Sequence, residues 1–220
     1  MLKITLHGLA AERGGTLLVP PQDLALSAGQ GLIITGDNGA GKSTFLRVIA
    51  GLLPSAAGHI TIDGAMASDG EPATRCSEIC HYVGHRNGMK PHMSVRANLS
   101  FWQKFLQSDD ARAIDAALLA LNLFDFADLP FGYLSAGQQR RVALCRLLVA
   151  PRKLWLLDEP TNALDAASQE LFFALIGAHL TAGGIVMAAT HQPLQIADAR
   201  KLVLTRAQPD VDAFDEGLWL

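Results

Sequence analysis

Leu32-Ile33-Ile34-Thr35-Gly36-Asp37-Asn38-Gly39-Ala40-Gly41-Lys42-Ser43 is the stretch on which the fold turns. Leu32–Thr35 reads as a short buried strand, and Lys42–Ala50 as a helix stopped by Gly51 and Pro54. Between them, Gly36 to Ser43 match the phosphate-binding pattern G-x-x-x-x-G-K-[ST], in the strand–loop–helix context that gives the pattern meaning. Gly36, Gly39 and Gly41 permit backbone angles and close approaches that a Cβ would hinder. With Asp37, Asn38 and Ala40 they make a loop whose N–H groups can cradle a β-phosphate. Lys42 can reach β- and γ-oxygens, Ser43 offers its hydroxyl to Mg²⁺, and Thr44 follows in the first helical turn. A glycine-rich turn with no ligand leaves the Lys-Ser pair unexplained.

A second anion site is readable downstream. Leu134-Ser135-Ala136-Gly137-Gln138, followed by Gln139-Arg140-Arg141, precedes the apolar-periodic run of Val142, Leu144, Leu147 and Leu148. Free N–H groups at a helix start, aided by the helix dipole, suit an anion. Taken alone, Ser135 is more simply an ordinary N-cap. Two such sites in one chain point to two surfaces that close on one polyphosphate. At these residues the chain resembles the ATP-binding cassette family, whose signature is usually Leu-Ser-Gly-Gly-Gln; Ala136 is a departure from it. The resemblance covers essentially the whole chain and implies ATP and Mg²⁺ as cofactors.

With 220 residues, half of them apolar, the chain can bury a substantial core in one domain or two joined lobes. A formal net charge of −3 supplies no global basic face, so no nucleic acid partner is expected. No run approaches the ~20 apolar residues that span a bilayer. Met1-Leu2-Lys3-Ile4-Thr5 also lacks the regions of a signal peptide. The expectation is a cytosolic chain whose membrane role needs a partner. Cys76, Cys80 and Cys145 suit a reducing compartment better than a disulfide scaffold. Cys76-x-x-x-Cys80-His81 misses the haem-attachment pattern C-x-x-C-H by one residue. Cys80 reads instead as the start of a buried strand, and Cys145 as part of an apolar helix.

Short apolar runs alternate with helical patterns, which predicts an α/β fold with a mixed, mainly parallel sheet and an antiparallel β flank. Strands are expected at Leu2–Leu6, Leu32–Thr35, Ile60–Ile62, Ile79–Val83, Leu154–Leu157, Ile185–Ala189 and Leu202–Thr205, the first and third in the flank. Helices are expected at Lys42–Ala50, Ala166–Leu180 and Pro193–Ala197. Gly88 to Ala150 reads as nearly all helix: Val95–Leu106, Asp109–Leu121 entered through Ser108, and Ala136–Ala150. The expected organisation is one ATP-binding domain over 1–220. Its core lobe comprises 1–87 and 151–220, and 88–150 is an inserted helical lobe carrying the signature.

Leu154-Trp155-Leu156-Leu157 ends abruptly in Asp158-Glu159-Pro160. Adjacent carboxylates after a buried strand are costly unless metal, water or cations engage them. The resemblance assigns Asp158 to the Mg²⁺ shell with Ser43, and makes Glu159 the base that orients the attacking water. His191 follows the run Ile185–Ala189 through Thr190, and so joins Gly36 and Asp158 at the carboxyl ends of parallel strands, where open α/β sheets bind ligands. The resemblance makes it a γ-phosphate contact, and the implied catalytic set is Lys42, Glu159 and His191. Asn162-Ala163-Leu164-Asp165 matches the family's D-loop, in which Asp165 contacts the opposite subunit; capping of the helix from Ala166 explains it equally well. Family members pair head to tail. Each ATP then sits between one subunit's Lys42 loop and the other's Ser135, Gly137 and Gln138, a two-fold arrangement that satisfies both sites.

Leu134–Leu144, Leu154–Pro160, Gly183-Gly184-Ile185-Val186 and Thr190–Leu194 are together similar to the ATP-binding subunits of haem exporters in bacterial cytochrome c maturation. Gly84-His85 with Gly88-Met89-Lys90 fits the same group. That similarity implies an integral membrane transporter subunit and other cytochrome c maturation subunits as partners, with the chain peripheral on the cytoplasmic face of the inner membrane. Two departures stand out. Arg86 occupies the position of the family's usual Gln; a cation is a poor Mg²⁺ ligand but can contact a γ-phosphate oxygen. No aromatic residue precedes Phe45, so the ring that stacks on adenine is missing, and Arg13 is the candidate to stack its guanidinium instead. The rival readings are another cassette importer or exporter, a soluble cassette ATPase acting on DNA or ribosomes, and, because of Arg86, an ATP-binding switch that hydrolyses poorly.

Overall fold

The computed structural model describes residues 1–108, 110 and 112–205. In chain order its strands are β1 (Lys3–Arg13), β2 (Thr16–Ser27), β3 (Gly31–Thr35), β4 (Ala57–Asp63), β5 (Cys80–Val83), β6 (Leu154–Asp158), β7 (Ile185–Ala189) and β8 (Arg200–Val203). Its α-helices are α1 (Lys42–Ile49), α2 (Cys76–Ile79), α3 (Val95–Phe105), α4 (Ala113–Ala120), α5 (Ala136–Val149) and α6 (Ala166–Thr181). The strands form an antiparallel sheet ordered β2-β1-β4 and a second sheet ordered β5-β6-β7-β3-β8, in which every ladder is parallel. This is the expected α/β core with an antiparallel flank.

Alternation along β3 sorts the core. Leu32 and Ile34 pack with Phe45, Leu46 and Ile49 of α1 and with Ile4, Leu6 and Leu26 of the antiparallel sheet. Ile33, one residue out of phase, faces the other cluster, with Leu99 of α3, Val142 and Leu144 of α5 and Phe172 of α6. β6 and β7 are buried at every position, as strands covered on both faces must be. The phosphate-loop helix and the signature helix therefore lie against opposite faces of one sheet.

Five local expectations need correction. β2 is not among the expected strands, and Pro20-Pro21 lies inside it. The prolines are tolerated because β2 is an edge strand, and they fall where the register slips between the pairs Leu9↔Gln22 and Ala11↔Val19. Pairing with β2 in turn extends β1 to Arg13. Pro193–Ala197 is not helical: Leu194 and Ile196 are buried while Pro193, Gln195 and Ala197 are exposed, a period of two. β8 begins at Arg200, two residues before the expected start, and Ile79 closes α2 rather than opening β5. The expected helix start at Asp109 lies outside the described residues; α4 itself begins at Ala113.

Candidate functional site

The loop after β3 is shaped by contacts that exclude side chains. Gly36 has φ +141°, and a Cβ there would stand 2.1 Å from the Leu204 carbonyl oxygen. Gly41, at φ +90°, caps α1 in the left-handed conformation, and no side chain caps that helix. Its first N–H groups are thus left for an anion, with no acidic residue in the first turn to compete. Lys42 is buried, and its Nζ donates to the carbonyls of Gly36 (2.6 Å) and Asp37 (3.0 Å). Asn38, Gly39, Lys42, Ser43 and Thr44 line a cavity of about 300 Å³, which Glu159 also borders. Ala40 belongs to the core instead, its N–H closing a turn onto Asp37 O. Arg13 and Leu18 form a further wall of the cavity, which brings Arg13 to the loop.

Asp158 ends β6 almost wholly buried, at 2% exposure. Ser43 Oγ donates to its Oδ1 at 2.8 Å and Tyr82 Oη donates to its Oδ2 at 3.2 Å. Arg47 Nε in turn donates to Tyr82 Oη at 3.1 Å. Burial pushes the Tyr82 phenol up, and its hydrogen bond to Tyr82 raises Arg47. A buried carboxylate touching a hydroxyl beside a phosphate loop is the hard-oxygen donor set that suits Mg²⁺. The residues present therefore fit that ion, and Ser43 and Asp158 are the residues that would hold it.

Glu159 adopts φ +48°, a left-handed conformation that costs a non-glycine residue on the order of 1 kcal/mol or more. Its N–H donates to Ala189 O at 2.8 Å, and its Oε1 lies 2.9 Å from His191 Nδ1. Its Oε2 is buried and has no hydrogen-bond partner among the described residues. One oxygen is thus held while the other is an unused acceptor beside the phosphate-loop cavity. A buried acceptor of this kind is costly to leave unpaired and is suited to taking a hydrogen bond from a reacting water.

Ser135 caps α5 in a reciprocal box: its Oγ accepts from Gln138 N–H (3.3 Å) and its own N–H donates to Gln138 Oε1 (2.8 Å). The capping interpretation of Ser135 is therefore realised, and Gly137 keeps its N–H in the first turn. A Cβ at Gly137 would stand 3.0 Å from the Ala163 carbonyl oxygen, and Ala163 itself has φ +66°. The signature and the loop after Glu159 pack backbone to backbone. Ser135, Gly137 and Gln138 do not line the phosphate-loop cavity of their own chain. Asp165 caps α6, accepting from Ser168 N–H at 2.8 Å, and bonding to Ser168 holds its carboxyl below the usual range.

Arg86 is exposed and lies away from the phosphate loop, in a cavity with Arg47, Tyr82, Trp102 and Arg146. Its neighbours His85 and Asn87 border a different cavity, one shared with Glu159 and Arg140. Sequence reasoning missed Tyr82, Arg47 and Arg140. Arg140 is the most consequential omission, being buried and bonded to the carbonyls of Asp158, Glu159 and Pro160. Burial lowers its guanidinium, opposed by the charges of Asp158 and Glu159. The missed signal was an arginine four residues before Leu144 and seven before Leu147, on the apolar stripe of its helix.

Fold and site together define an ATP-binding cassette ATPase. The ABC transporter family model matches residues 20–162. A solved ATP-binding subunit of an ABC transporter shares the fold at a TM-score of 0.73 and 20% identity, covering 86% of this chain and 79% of its own. The chain is 48% identical over 207 residues to the cytochrome c biogenesis ATP-binding export protein CcmA of Rhizobium meliloti, covering 93% of this chain and 98% of that protein. It is 49% identical over 191 residues to the CcmA of Rhodopseudomonas palustris, covering 87% and 92%. The chain belongs to the ABC transporter family and, within it, to the CcmA proteins. It is an ATP-hydrolysing transporter subunit.

Proposed function

We propose that this chain hydrolyses ATP with Mg²⁺ to drive the membrane subunits of a haem exporter serving cytochrome c biogenesis. The observation that carries the hydrolytic assignment is the divided carboxylate of Glu159, one oxygen bound by His191 and the other a buried acceptor with no partner among the described residues. Lys42 and the N–H groups of the loop bind the β- and γ-phosphates, and Mg²⁺ on Ser43 and Asp158 supplies charge neutralisation when bound. Glu159 orients the attacking water and accepts its proton, while His191 fixes the carboxylate and reaches the γ-phosphate. Arg13 stacks on the adenine. Arg86 serves the face toward the partner rather than the nucleotide.

The 88–150 segment acts as the signature lobe against a nucleotide lobe of 1–87 and 151–220. Two copies pair head to tail, with Ser135, Gly137 and Gln138 of each closing on the other's ATP, and Asp165 at the seam. This accounts for a signature that stays off its own phosphate loop. The membrane subunit docks on the face from Arg86 to Leu106, where Phe101 and Phe105 stand 44% and 65% exposed. Among the described residues no helix is long and apolar enough to cross a membrane. The chain accordingly reaches the cytoplasmic face of the inner membrane through its partner.

The test is a pair of variants. Glu159→Gln keeps ATP binding and accumulates an ATP-bound dimer, with turnover lowered on the order of 10²–10⁴-fold. Lys42→Ala loses nucleotide affinity instead. Glu159→Gln turnover within a few-fold of wild type removes Glu159 from the role of base. Purification of the tagged chain from its native membrane identifies the multispanning partner; recovery of a transporter unconnected with haem overturns the haem assignment.

A further inference from the structure

Arg140 sits on the second turn of the signature helix, 4% exposed, with its guanidinium turned into the protein. Its Nε donates to Pro160 O at 3.1 Å, and its Nη2 to Asp158 O at 3.2 Å and Glu159 O at 2.8 Å. Its Nη1 donates to Gly84 O at 2.8 Å and lies 3.4 Å from Asn87 Oδ1. Among the described residues no carboxylate forms a salt bridge with it. The cation is spent almost entirely on four backbone carbonyls, three of them consecutive. Charge-assisted bonds are the strong members of their class, and a planar guanidinium fixes their directions.

The three consecutive carbonyls flank and include the residue with φ +48°. A left-handed glutamate persists only where its surroundings over-determine it. One neighbour holds the Glu159 N–H, namely Ala189 O, and Arg140 holds the carbonyls. We infer that Arg140 is the positioning residue of the site: it fixes the Glu159 turn and ties it to the signature helix on one side and to the loop after β5, at Gly84, on the other. The inference rests on the reading of Glu159 as the base. The helix whose N-terminus serves one ATP is thereby joined, within the same chain, to the carboxylate that serves the other.

Arg140→Gln and Arg140→Lys test this by three readouts: kcat and KM for ATP, binding of a fluorescent ATP analogue, and hydrogen exchange of the segment containing Glu159 and Asn162. A misplacement of about 1 Å at a reacting group costs up to about 10²-fold. Arg140→Gln is therefore expected to lower kcat roughly 10- to 100-fold, with KM and analogue affinity within about 3-fold of wild type. Exchange in that segment should accelerate while the rest of β6 stays protected. Arg140→Lys keeps the charge and part of the bonding and should recover part of kcat. Wild-type kcat in either folded variant overturns the inference, as does a lowered kcat without faster local exchange. Should Arg140→Gln fail to fold, Arg140→Lys carries the same criteria. Glu159→Gln measured alongside separates the two claims. If it stays active, the base assignment fails; if it is inactive while Arg140→Gln turns over normally, only the positioning role fails.

Discussion

Tyr82→Phe removes one oxygen from the chain Arg47–Tyr82–Asp158–Ser43 and alters little else. The lost bonds are Arg47 Nε to Tyr82 Oη at 3.1 Å and Tyr82 Oη to Asp158 Oδ2 at 3.2 Å. A hydrogen bond to a charged group contributes about 1.5–3 kcal/mol when short and fully buried. At 3.2 Å the tyrosine bond is longer than the usual hydroxyl–oxygen range. Tyr82 is only part-buried, and water can take over Arg47. About 1 kcal/mol is therefore the working figure for the Asp158 bond. That corresponds to roughly a five-fold change in an equilibrium constant. If the bond orients Asp158 for the metal, the Mg²⁺ concentration giving half-maximal ATPase should rise about five-fold, somewhat less than the roughly 10- to 100-fold that outer ligand partners contribute elsewhere. The melting temperature should fall by about 2–4 °C for a domain of this size. The assay is an Mg²⁺ titration at saturating ATP, with thermal unfolding in parallel. An unchanged or lower Mg²⁺ requirement, together with the expected loss of melting temperature, would show that the tyrosine braces the fold without orienting the carboxylate.

Two further outcomes follow from buried and displaced side chains. His81 is 2% exposed, its Nε2 lies 2.5 Å from Ala150 O, and burial pushes its imidazole down to about 3 from 6.5. The unfolded chain then binds the proton first, so stability is full above about pH 6.5 and falls as pH drops toward the folded value. This one group should account for about 1.4 kcal/mol of loss by about pH 5.5, and His81→Gln, which can still donate to Ala150 O, should flatten that slope in denaturant titrations. Arg86→Gln should leave ATP-analogue affinity within about 3-fold of wild type, since Arg86 does not line the phosphate-loop cavity. A ten-fold loss would return it to the γ-phosphate.

The fold was legible wherever periodicity and burial agree. β6 and β7 are buried at every position, and their unbroken apolar runs could be placed to within a residue. β2 was illegible for a physical reason. Pro20-Pro21 removes two donors, which forbids a central strand but not an edge strand whose ladder already slips there, and edge position is a property of the assembled sheet. Pro193–Ala197 misled in the opposite direction. Five residues are too few to sustain a helix alone. Its burial at Leu194 and Ile196, with Ile196 seated over Gly31, is that of extended chain.

The site divides along the same line. Gly36–Ser43, Asp158 and Glu159 are written in contiguous sequence because a phosphate loop and a strand-end carboxylate pair are local devices. What supports them is assembled across the fold, with Tyr82 arriving from β5, Arg47 from α1 and Arg140 from α5. Only Arg140 left a trace. A permanent cation on the apolar stripe of a helix must find partners inside the protein, because burying an unpaired charge costs more than the helix can return. In another fold a carboxylate would answer it. Here Ser43 and Tyr82 engage Asp158, His191 engages one oxygen of Glu159, and among the described residues neither carboxylate forms a salt bridge with Arg140. The guanidinium therefore bonds to the carbonyls of the strained turn that carries them. A strained turn beside a reacting carboxylate and a buried arginine with no salt bridge among the described residues are each unfavourable alone, and each supplies what the other lacks.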